Sequence, residues 1–229
     1  FNNDFNFSKY LSQIKKSEPI KYLGYVTSVN GLEIISKGPC AKIGEICTIV
    51  LPDGSKLLSE VVGLNDVMVK LTAFGDTQGI EVGCQVIGSG DVLQVPVGMS
   101  LLGRTIDATG KPCDGLGELA PEAYYPAIAS PPDPMSRLPI NRRVSTGVKA
   151  IDGMLTVGKG QRLGIFAGSG VGKSTLLSMI ARNTDADINV IGLIGERGRE
   201  VLDFINRDLG KEGLKRSVVV VATSDTPSI

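Results

Sequence analysis

The stretch RLGIFAGSGVGKSTLLSMIARN, residues 162–183, decides the fold that this sequence predicts. It opens on an apolar run, RLGIFA (162–167), which is typical of a buried β-strand, and it closes on KSTLLSMIARN (173–183), which has the pattern of a helix. The glycine-rich turn between them is AGSGVGKST (167–175). This turn is the phosphate-binding P-loop in its strand–loop–helix context, with Ala167 where the usual pattern has its first glycine.

The residues of this loop suit a chain of phosphates. Gly168, Gly170 and Gly172 let the backbone curl so that successive N–H groups point inward, and the start of the helix adds a partial charge of roughly +0.5. Lys173 supplies a full charge to the β and γ phosphates, and Ser174 offers a hydroxyl to Mg²⁺. A turn that serves packing alone is the competing interpretation, which the GKST ending between a strand and a helix disfavours. The predicted nucleotide-binding residues are Gly168, Ser169, Gly170, Val171, Gly172, Lys173, Ser174 and Thr175, with Ser174 on the metal side.

A charged cluster, GLIGERGRE (192–200), overlaps the end of a second apolar strand, DINVIGLIG (187–195). We expect that strand to lie beside the P-loop strand, and ligands of open parallel sheets bind at the carboxyl ends of strands. Glu196 can then orient an attacking water, and Arg197 can offset charge in a transition state. The candidate catalytic residues are therefore Lys173, Glu196 and Arg197. For the cluster by itself, a solvated turn whose charges cap the next helix is an equally good interpretation.

Predicted strands and helices alternate along residues 162–223. REVLDFINRDLG (199–210) predicts a helix closed by Gly210, and SVVVVAT (217–223) predicts a third buried strand after 162–167 and 187–195. Continuous apolar strands that alternate with helices indicate a parallel sheet covered on both faces.

Between residue 20 and about Leu93 the pattern changes to short β-rich runs. Asn30-Gly31 lies between KYLGYVTSV and LEIIS, which indicates a two-residue hairpin with positive φ at both central positions. EICTIVL, SKLLSEVVGL and VMVKLTAF follow at the spacing of a small closed or sandwich-like β domain. Because few aromatic residues lie here, an assembly barrel is favoured over one that stacks nucleic-acid bases.

The sequence therefore predicts three parts: an N-terminal amphipathic segment (1–19), a β-barrel domain (20–94) and a P-loop nucleotide-binding domain (95–229). The first part has apolar residues at helical spacing, which indicates a helix that either packs on its own domain or docks a partner or a membrane surface. The third part opens with a stretch rich in glycine and proline, which predicts a covering segment or a connection. The residues at helical spacing are Phe7, Tyr10, Leu11 and Ile14, and the prolines that exclude a helix interior are Pro131, Pro132 and Pro134.

Composition excludes several classes of protein. The 229 residues are 42% hydrophobic and 21% charged, which are globular values, and no apolar run approaches the ~20 residues that cross a bilayer. The 24 basic residues balance 24 acidic ones, so bulk charge does not favour nucleic acid. Histidine is absent, which removes the commonest zinc ligand and the commonest general base. The 4 cysteines form no CxxC pair, which predicts reduced, structural cysteines in the cytosol.

The runs STGVKAIDGMLTVGKGQRLGIFAGSGVGKSTLL (145–177) and IGERGREV (194–201) resemble the flagellar and type III secretion export ATPases, relatives of the catalytic beta subunit of rotary ATP synthases. The resemblance covers nearly the whole chain, and its most specific part is DGMLTVGKGQR joined to GERGREV. It implies an α/β RecA-like P-loop NTPase domain, incomplete in this chain, preceded by a small N-terminal β-barrel.

The activity that the resemblance implies is ATP hydrolysis, with ATP and Mg²⁺ as cofactors, coupled to cargo–chaperone release and protein secretion. Lys173 and Ser174 match the P-loop lysine and the hydroxyl on the Mg²⁺ side, Glu196 matches the catalytic glutamate, and Arg197 matches the phosphate-side arginine. The implied assembly is a homohexamer, peripheral at the cytoplasmic face of the inner membrane. Its implied partners are export-gate, stalk and regulator proteins and chaperone–cargo complexes, without nucleic acid; flagellum and injectisome stay open.

Other parts of the family pattern are expected beyond Ile229, namely the Mg²⁺-organising aspartate, the intersubunit arginine, the adenine pocket and the C-terminal helical domain. Asp225 follows an earlier strand of the family and does not match that aspartate. We therefore expect the 229 residues alone to be inactive or very weakly active. The alternatives are a noncatalytic or catalytic subunit of a rotary ATPase, or a hexameric RNA translocase. Glu196 argues against the noncatalytic subunit, and the zero net charge argues against RNA.

Overall fold

The computed structural model describes residues 22–168 and 170–224. The chain divides into two compact units, one ending at Val92 and the other beginning at Leu93. The amphipathic segment predicted at 1–19, Ser169 and Asp225 lie outside the described residues. Within the described part of the chain, every helix is too short or too polar to cross a membrane.

The first unit is a closed barrel of six antiparallel strands in the order β1-β2-β5-β4-β3-β6. Alternate side chains point into the barrel, where Ile34, Ile49 and Leu71 are fully buried. Burial raises the pKa of the Cys47 thiol in this core to about 12, with a smaller contribution from the nearby Glu45 carboxylate, which keeps the thiol protonated. The strands are β1 (Leu23–Asn30), β2 (Glu33–Lys37), β3 (Glu45–Val50), β4 (Lys56–Asn65), β5 (Met68–Ala73) and β6 (Gln85–Val92).

The first hairpin of the barrel turns one residue later than predicted. Asn30 pairs with Glu33 in the β1–β2 ladder, so the central residues of the turn are Gly31 and Leu32. Of these, Gly31 alone has a positive φ, +63°. The expectation of positive φ at both Asn30 and Gly31 is wrong, because a turn with glycine in first place needs the left-handed backbone only there.

The second unit contains a parallel sheet in the order β12-β13-β8 and two small antiparallel pairs, β7 with β9 and β10 with β11. The predicted helix at 173–183 and the strands within 187–195 and 217–223 are confirmed. Gly210 takes a φ of +66° where a helix was predicted to end, but helical structure continues to Lys215. The elements are β7 (Gln94–Val97), β8 (Thr105–Asp107), β9 (Ala123–Pro126), β10 (Arg143–Val144), α1 (Lys149–Met154), β11 (Val157–Gly158), α2 (Lys173–Asn183), β12 (Asn189–Ile194), α3 (Gly198–Asp203), a π-helical segment (Phe204–Leu209), α4 (Gly210–Lys215) and β13 (Ser217–Ala222), with short 3₁₀ turns at Met99–Leu101 and Pro134–Ser136.

The third strand of the parallel sheet is not the predicted one. β8, from the glycine-rich stretch, pairs with β13, whereas 162–167 forms no strand and Phe166 is 98% exposed. Leu163 and Ile165 line a cavity beside β12 instead of pairing with it. An apolar run fits a buried strand but does not by itself fix a ladder partner, and among the described residues the edge of β12 away from β13 stays unpaired.

Helices cover one face of the sheet. Ile191, Leu193 and Val219 pack there against a core that also contains Ala181, Val201, Phe204 and Leu209. The opposite face carries an apolar groove of about 390 Å³, lined in part by residues 95–102, and Val190 on this face is 74% exposed. The expectation that both faces are covered is therefore wrong for the described residues, because only a short segment without an α-helix lies over the second face.

Candidate functional site

The P-loop lies at the start of α2, as the sequence predicts. Gly170 and Gly172 have φ values of +76° and +100°, in the region that residues with a Cβ avoid. A Cβ added at either position would meet nothing within 4 Å, so the backbone conformation, not space, requires glycine. The first hydrogen bond of the helix runs from the Leu176 N–H to the Gly172 carbonyl at 2.9 Å. The N–H groups that precede it have no partner inside the helix and are available to an anion.

Glu196 is held at the carboxyl edge of the sheet by its backbone. Just beyond β12, the Gly195 N–H donates to the Ala222 carbonyl at 2.7 Å, and the Ser224 N–H donates to the Glu196 carbonyl at 3.0 Å. These bonds continue the β12–β13 pairing past the ends of the two strands. The carboxylate of Glu196 therefore leaves the sheet at the edge where parallel sheets bind ligands.

The structure brings two of the predicted catalytic residues together. The Lys173 Nζ lies 3.5 Å from the Glu196 Oε1, and the two side chains are 52% and 28% exposed. A pair this exposed contributes little to stability, so an anion can replace Glu196 as the partner of Lys173 at small cost. The cavity around the pair measures about 520 Å³ and is lined by Ala167, Gly168, Gly170, Gly172, Lys173, Ser174, Thr175, Glu196 and Glu200.

Arg197 does not reach the loop. It precedes the first residue of α3, is mostly exposed, and its Nη1 lies 3.8 Å from the Glu200 Oε1. Arg197 and Val171 are absent from the described lining of the cavity, which instead includes Glu200. Glu200 is not among the residues that the sequence predicts for the site, although an acidic residue in the first turn of a helix that starts at the sheet edge was the available signal.

A second cavity of about 540 Å³ opens along the free edge of β12 and shares Lys173, Ser174, Glu196 and Glu200 with the first. Apolar side chains form much of its remaining wall, among them Leu163, Ile165, Leu177, Leu193 and Phe204. The charged end of the site is therefore continuous with an apolar compartment.

The oxygen donors of the site fit Mg²⁺. The Ser174 hydroxyl and the carboxylates of Glu196 and Glu200 line the same cavity, and Mg²⁺ prefers such hard oxygen ligands. The described residues contain no group of three or more acidic, cysteine or histidine side chains that could hold a metal by themselves. Mg²⁺ at this site would thus be coordinated by phosphate oxygens as well as by protein oxygens, as it commonly is.

Two family models match the chain, and both describe domains of one family. Residues 26–90 match the beta-barrel domain of the ATP synthase alpha/beta family, and residues 147–229 match its nucleotide-binding domain. The chain belongs to the ATP synthase alpha/beta family. This membership and the structural likeness described below confirm the predicted fold class, a P-loop domain preceded by a small β-barrel.

Its curated relatives include a flagellum-specific ATP synthase and a type 3 secretion system ATPase. The chain is 58% identical to the flagellum-specific ATP synthase of Treponema pallidum over 95% of its own length and 49% of that protein. It is 49% identical to the type 3 secretion system ATPase of Xanthomonas euvesicatoria, over 90% of its own length and 47% of that protein. The predicted resemblance to flagellar and type III secretion ATPases is confirmed. The chain spans about half the length of the curated relatives it matches.

Solved structures agree with this assignment. The assembled ATPase EscN from the type III secretion system of enteropathogenic E. coli, in complex with its central stalk EscO, matches with a TM-score of 0.81 and 42% sequence identity. The match covers 89% of this chain and 50% of EscN. The assembled EscN without the stalk protein matches with a TM-score of 0.80.

Proposed function

We propose that this chain is part of the ATPase of a type III protein export apparatus, flagellar or injectisome, which couples ATP hydrolysis to cargo–chaperone release and secretion. The observation that carries the proposal is the position of Lys173 at the start of α2, 3.5 Å from the Glu196 carboxylate. The names of the relatives support the export setting.

In this proposal the loop residues bind the phosphates. The N–H groups of the predicted segment 168–175 surround the phosphate chain, and the Lys173 ammonium exchanges its contact with Glu196 for the β and γ phosphates. The exchange releases the Glu196 carboxylate, which can then accept a hydrogen bond from a water and align it with the γ phosphate. Lys173 and Glu196 thus alternate between pairing with each other and acting on the nucleotide.

Ser174 would hold Mg²⁺, with Glu200, which lines the same cavity, as a further oxygen donor. The metal would supply charge neutralisation at the terminal phosphate oxygens. We propose Arg197 as the phosphate-side arginine, a role that requires its guanidinium to leave Glu200.

The assembled EscN and its complex with EscO support two further proposals, a homohexamer and a stalk protein as a partner. The resemblance supports the remaining ones: export-gate and regulator proteins and chaperone–cargo complexes as partners, and a cytoplasmic position, peripheral to the inner membrane. The balanced charge supports the absence of nucleic acid among the partners.

Two variants of the native full-length protein test the function. Glu196→Gln should retain ATP and lose turnover by about 10²-fold or more, since positioned acid–base groups contribute about 10²–10⁴-fold. Lys173→Ala should abolish tight ATP binding and leave the barrel folded, because Lys173 lies outside that unit. Calorimetry gives the affinity and phosphate release gives the turnover. Normal hydrolysis by Glu196→Gln, or unchanged ATP affinity in Lys173→Ala, would contradict the proposed roles.

A further inference from the structure

A carboxylate in α1 accepts hydrogen bonds from the loop that precedes this helix. Asp152 accepts four hydrogen bonds: from the Ser145 hydroxyl at 2.8 Å, the Thr146 N–H at 2.8 Å, the Thr146 hydroxyl at 2.7 Å and the Gly147 N–H at 2.9 Å. These donors, above all the Thr146 N–H, lower the pKa of Asp152 to about 2, so the carboxylate is charged at any physiological pH. These four hydrogen bonds hold residues 145–147 around a single side chain.

The same loop is attached to the far end of the P-loop helix. The Thr184 hydroxyl donates to the Ser145 carbonyl at 2.9 Å, and the Ser145 N–H donates to the Asp185 Oδ1 at 3.0 Å. Gly147 lies so close to Asn183 that an added Cβ would come within 2.2 Å of the Asn183 Cβ. The loop thus contacts the last residue of α2 and the two residues that follow it.

Arg216 fixes this end of the helix from another side. Its Nη2 donates to the Thr184 carbonyl and to the Ala186 carbonyl, both at 2.7 Å, from a position directly before β13. Since α2 has 11 residues, it is a short rod of about 16 Å with Lys173 at its other end. A helix of this length moves as a unit, so a shift at Asn183 changes where Lys173 points.

We propose that Asp152 is a positioning residue of the nucleotide site. It holds loop 145–147 against the C-terminal end of α2 and so sets the direction in which the N-terminal turn of α2 and Lys173 face the phosphates. Asp152 does not line the cavity around Lys173 and acts through the helix alone. The inference rests on the proposed function, because it assumes that nucleotide binds at this loop.

The test is Asp152→Asn in the native full-length protein. Asparagine keeps the volume and one acceptor oxygen, but it replaces the other oxygen with an amide donor facing groups that also donate. We expect the KM for ATP to rise by about tenfold and kcat to change less than about threefold, because the helix places the ground-state and transition-state phosphates alike. We also expect faster amide hydrogen exchange without nucleotide in α2 from Leu176 onward, since the Leu176 N–H is the first that is hydrogen-bonded within the helix.

Two control variants separate positioning from general loss of stability. Asp53→Asn changes a barrel carboxylate that likewise accepts from a serine N–H and hydroxyl, in Ser55, and it should leave both readouts unchanged. Ile191→Val loosens the core beneath α2 without touching the loop. Asp152→Asn should raise KM well beyond Ile191→Val at an equal loss of melting temperature.

A wild-type KM with unchanged exchange in Asp152→Asn would overturn the inference, and so would an equal KM shift in Ile191→Val at matched stability. If Asp152→Asn does not fold, Ser145→Ala, which removes one donor, should give a smaller shift in the same direction; no shift in that variant overturns the inference. Absence of ATP binding by the unaltered protein would instead refute the proposed function, and the exchange measurement would still decide whether Asp152 orders α2.

Discussion

Replacing Gly172 with alanine tests whether the phosphate loop is held in the shape that the nucleotide requires. Gly172 has φ +100° and ψ 16° at the residue just before α2. A Cβ there meets no other atom within 4 Å, so the substitution adds no collision. The whole effect comes from forcing an L residue into a sparsely populated backbone region, which costs about 1–3 kcal/mol.

This cost appears in one of two measurable quantities. If the loop keeps its shape without nucleotide, the free energy of unfolding falls by about 1–3 kcal/mol. If the loop relaxes, the same free energy is required when ATP binds, and the affinity falls by roughly 5- to 150-fold. The sum of the two effects is set by the backbone angles, whichever way it divides.

Calorimetric titration with ATP and urea denaturation of the same samples measure both quantities. Gly153→Ala is the matched control, because Gly153 lies inside α1 without positive φ and also has nothing within 4 Å. It should leave the affinity unchanged and be neutral or stabilising by up to about 1 kcal/mol, since alanine is the better helix former. A combined loss below about 0.5 kcal/mol in Gly172→Ala would refute the reasoning that the left-handed backbone there requires glycine.

Two further predictions concern activity and pH. The 229 residues by themselves should bind ATP and hydrolyse it very slowly at every protein concentration. The reason is that phosphoryl transfer depends on groups that the resemblance assigns to the rest of the protein. A monodisperse hexamer of the 229 residues with concentration-dependent ATPase activity would contradict this prediction. Asp114 accepts from the Arg104 guanidinium at 2.7 Å, which is the main reason that the pKa of Asp114 lies well below the usual 3.8. A carboxylate with a depressed pKa stabilises the folded state above pH 3.8, and this contribution is lost as the pH falls further. Asp114→Asn should therefore lower the melting temperature most near neutral pH, and the difference from the unaltered protein should shrink in acid. A difference in melting temperature that does not depend on pH would show that the charge is not involved.

Local patterns were sufficient for much of the fold. The helix at 173–183 begins and ends where its apolar spacing and the glycine before it predict, because α-helix hydrogen bonds join residues close in sequence. Alternating side chains and turn residues likewise predict the barrel strands, although the first turn lies one position later than predicted. In the site, the loop sequence points to Lys173. The rule that ligands bind at the carboxyl ends of parallel strands predicts Glu196 near it, and the two side chains lie 3.5 Å apart.

Local sequence patterns did not predict which strands pair or which charged side chains form ion pairs. Both 162–167 and 217–223 are predicted as buried strands, yet only the latter joins the sheet, and Thr105–Asp107 from a stretch predicted as a connection takes the third place. Arg197 pairs with Glu200 and does not itself line the cavity; this depends on how α3 starts, which residue types do not reveal.

The sequence by itself determined that this protein has a phosphate-binding loop before a helix, a small β domain, and a lysine and a glutamate suited to a nucleotide. The tertiary structure decided which strands form the sheet, which face stays open, and that Ser145 and Arg216 hydrogen-bond to Thr184 just beyond the P-loop helix. The physical reason is range: backbone angles and helical periodicity depend on neighbours in the chain. Ladder partners and the contacts of residues 145–147 with 183–185 join positions far apart in sequence, which only the folded chain brings together.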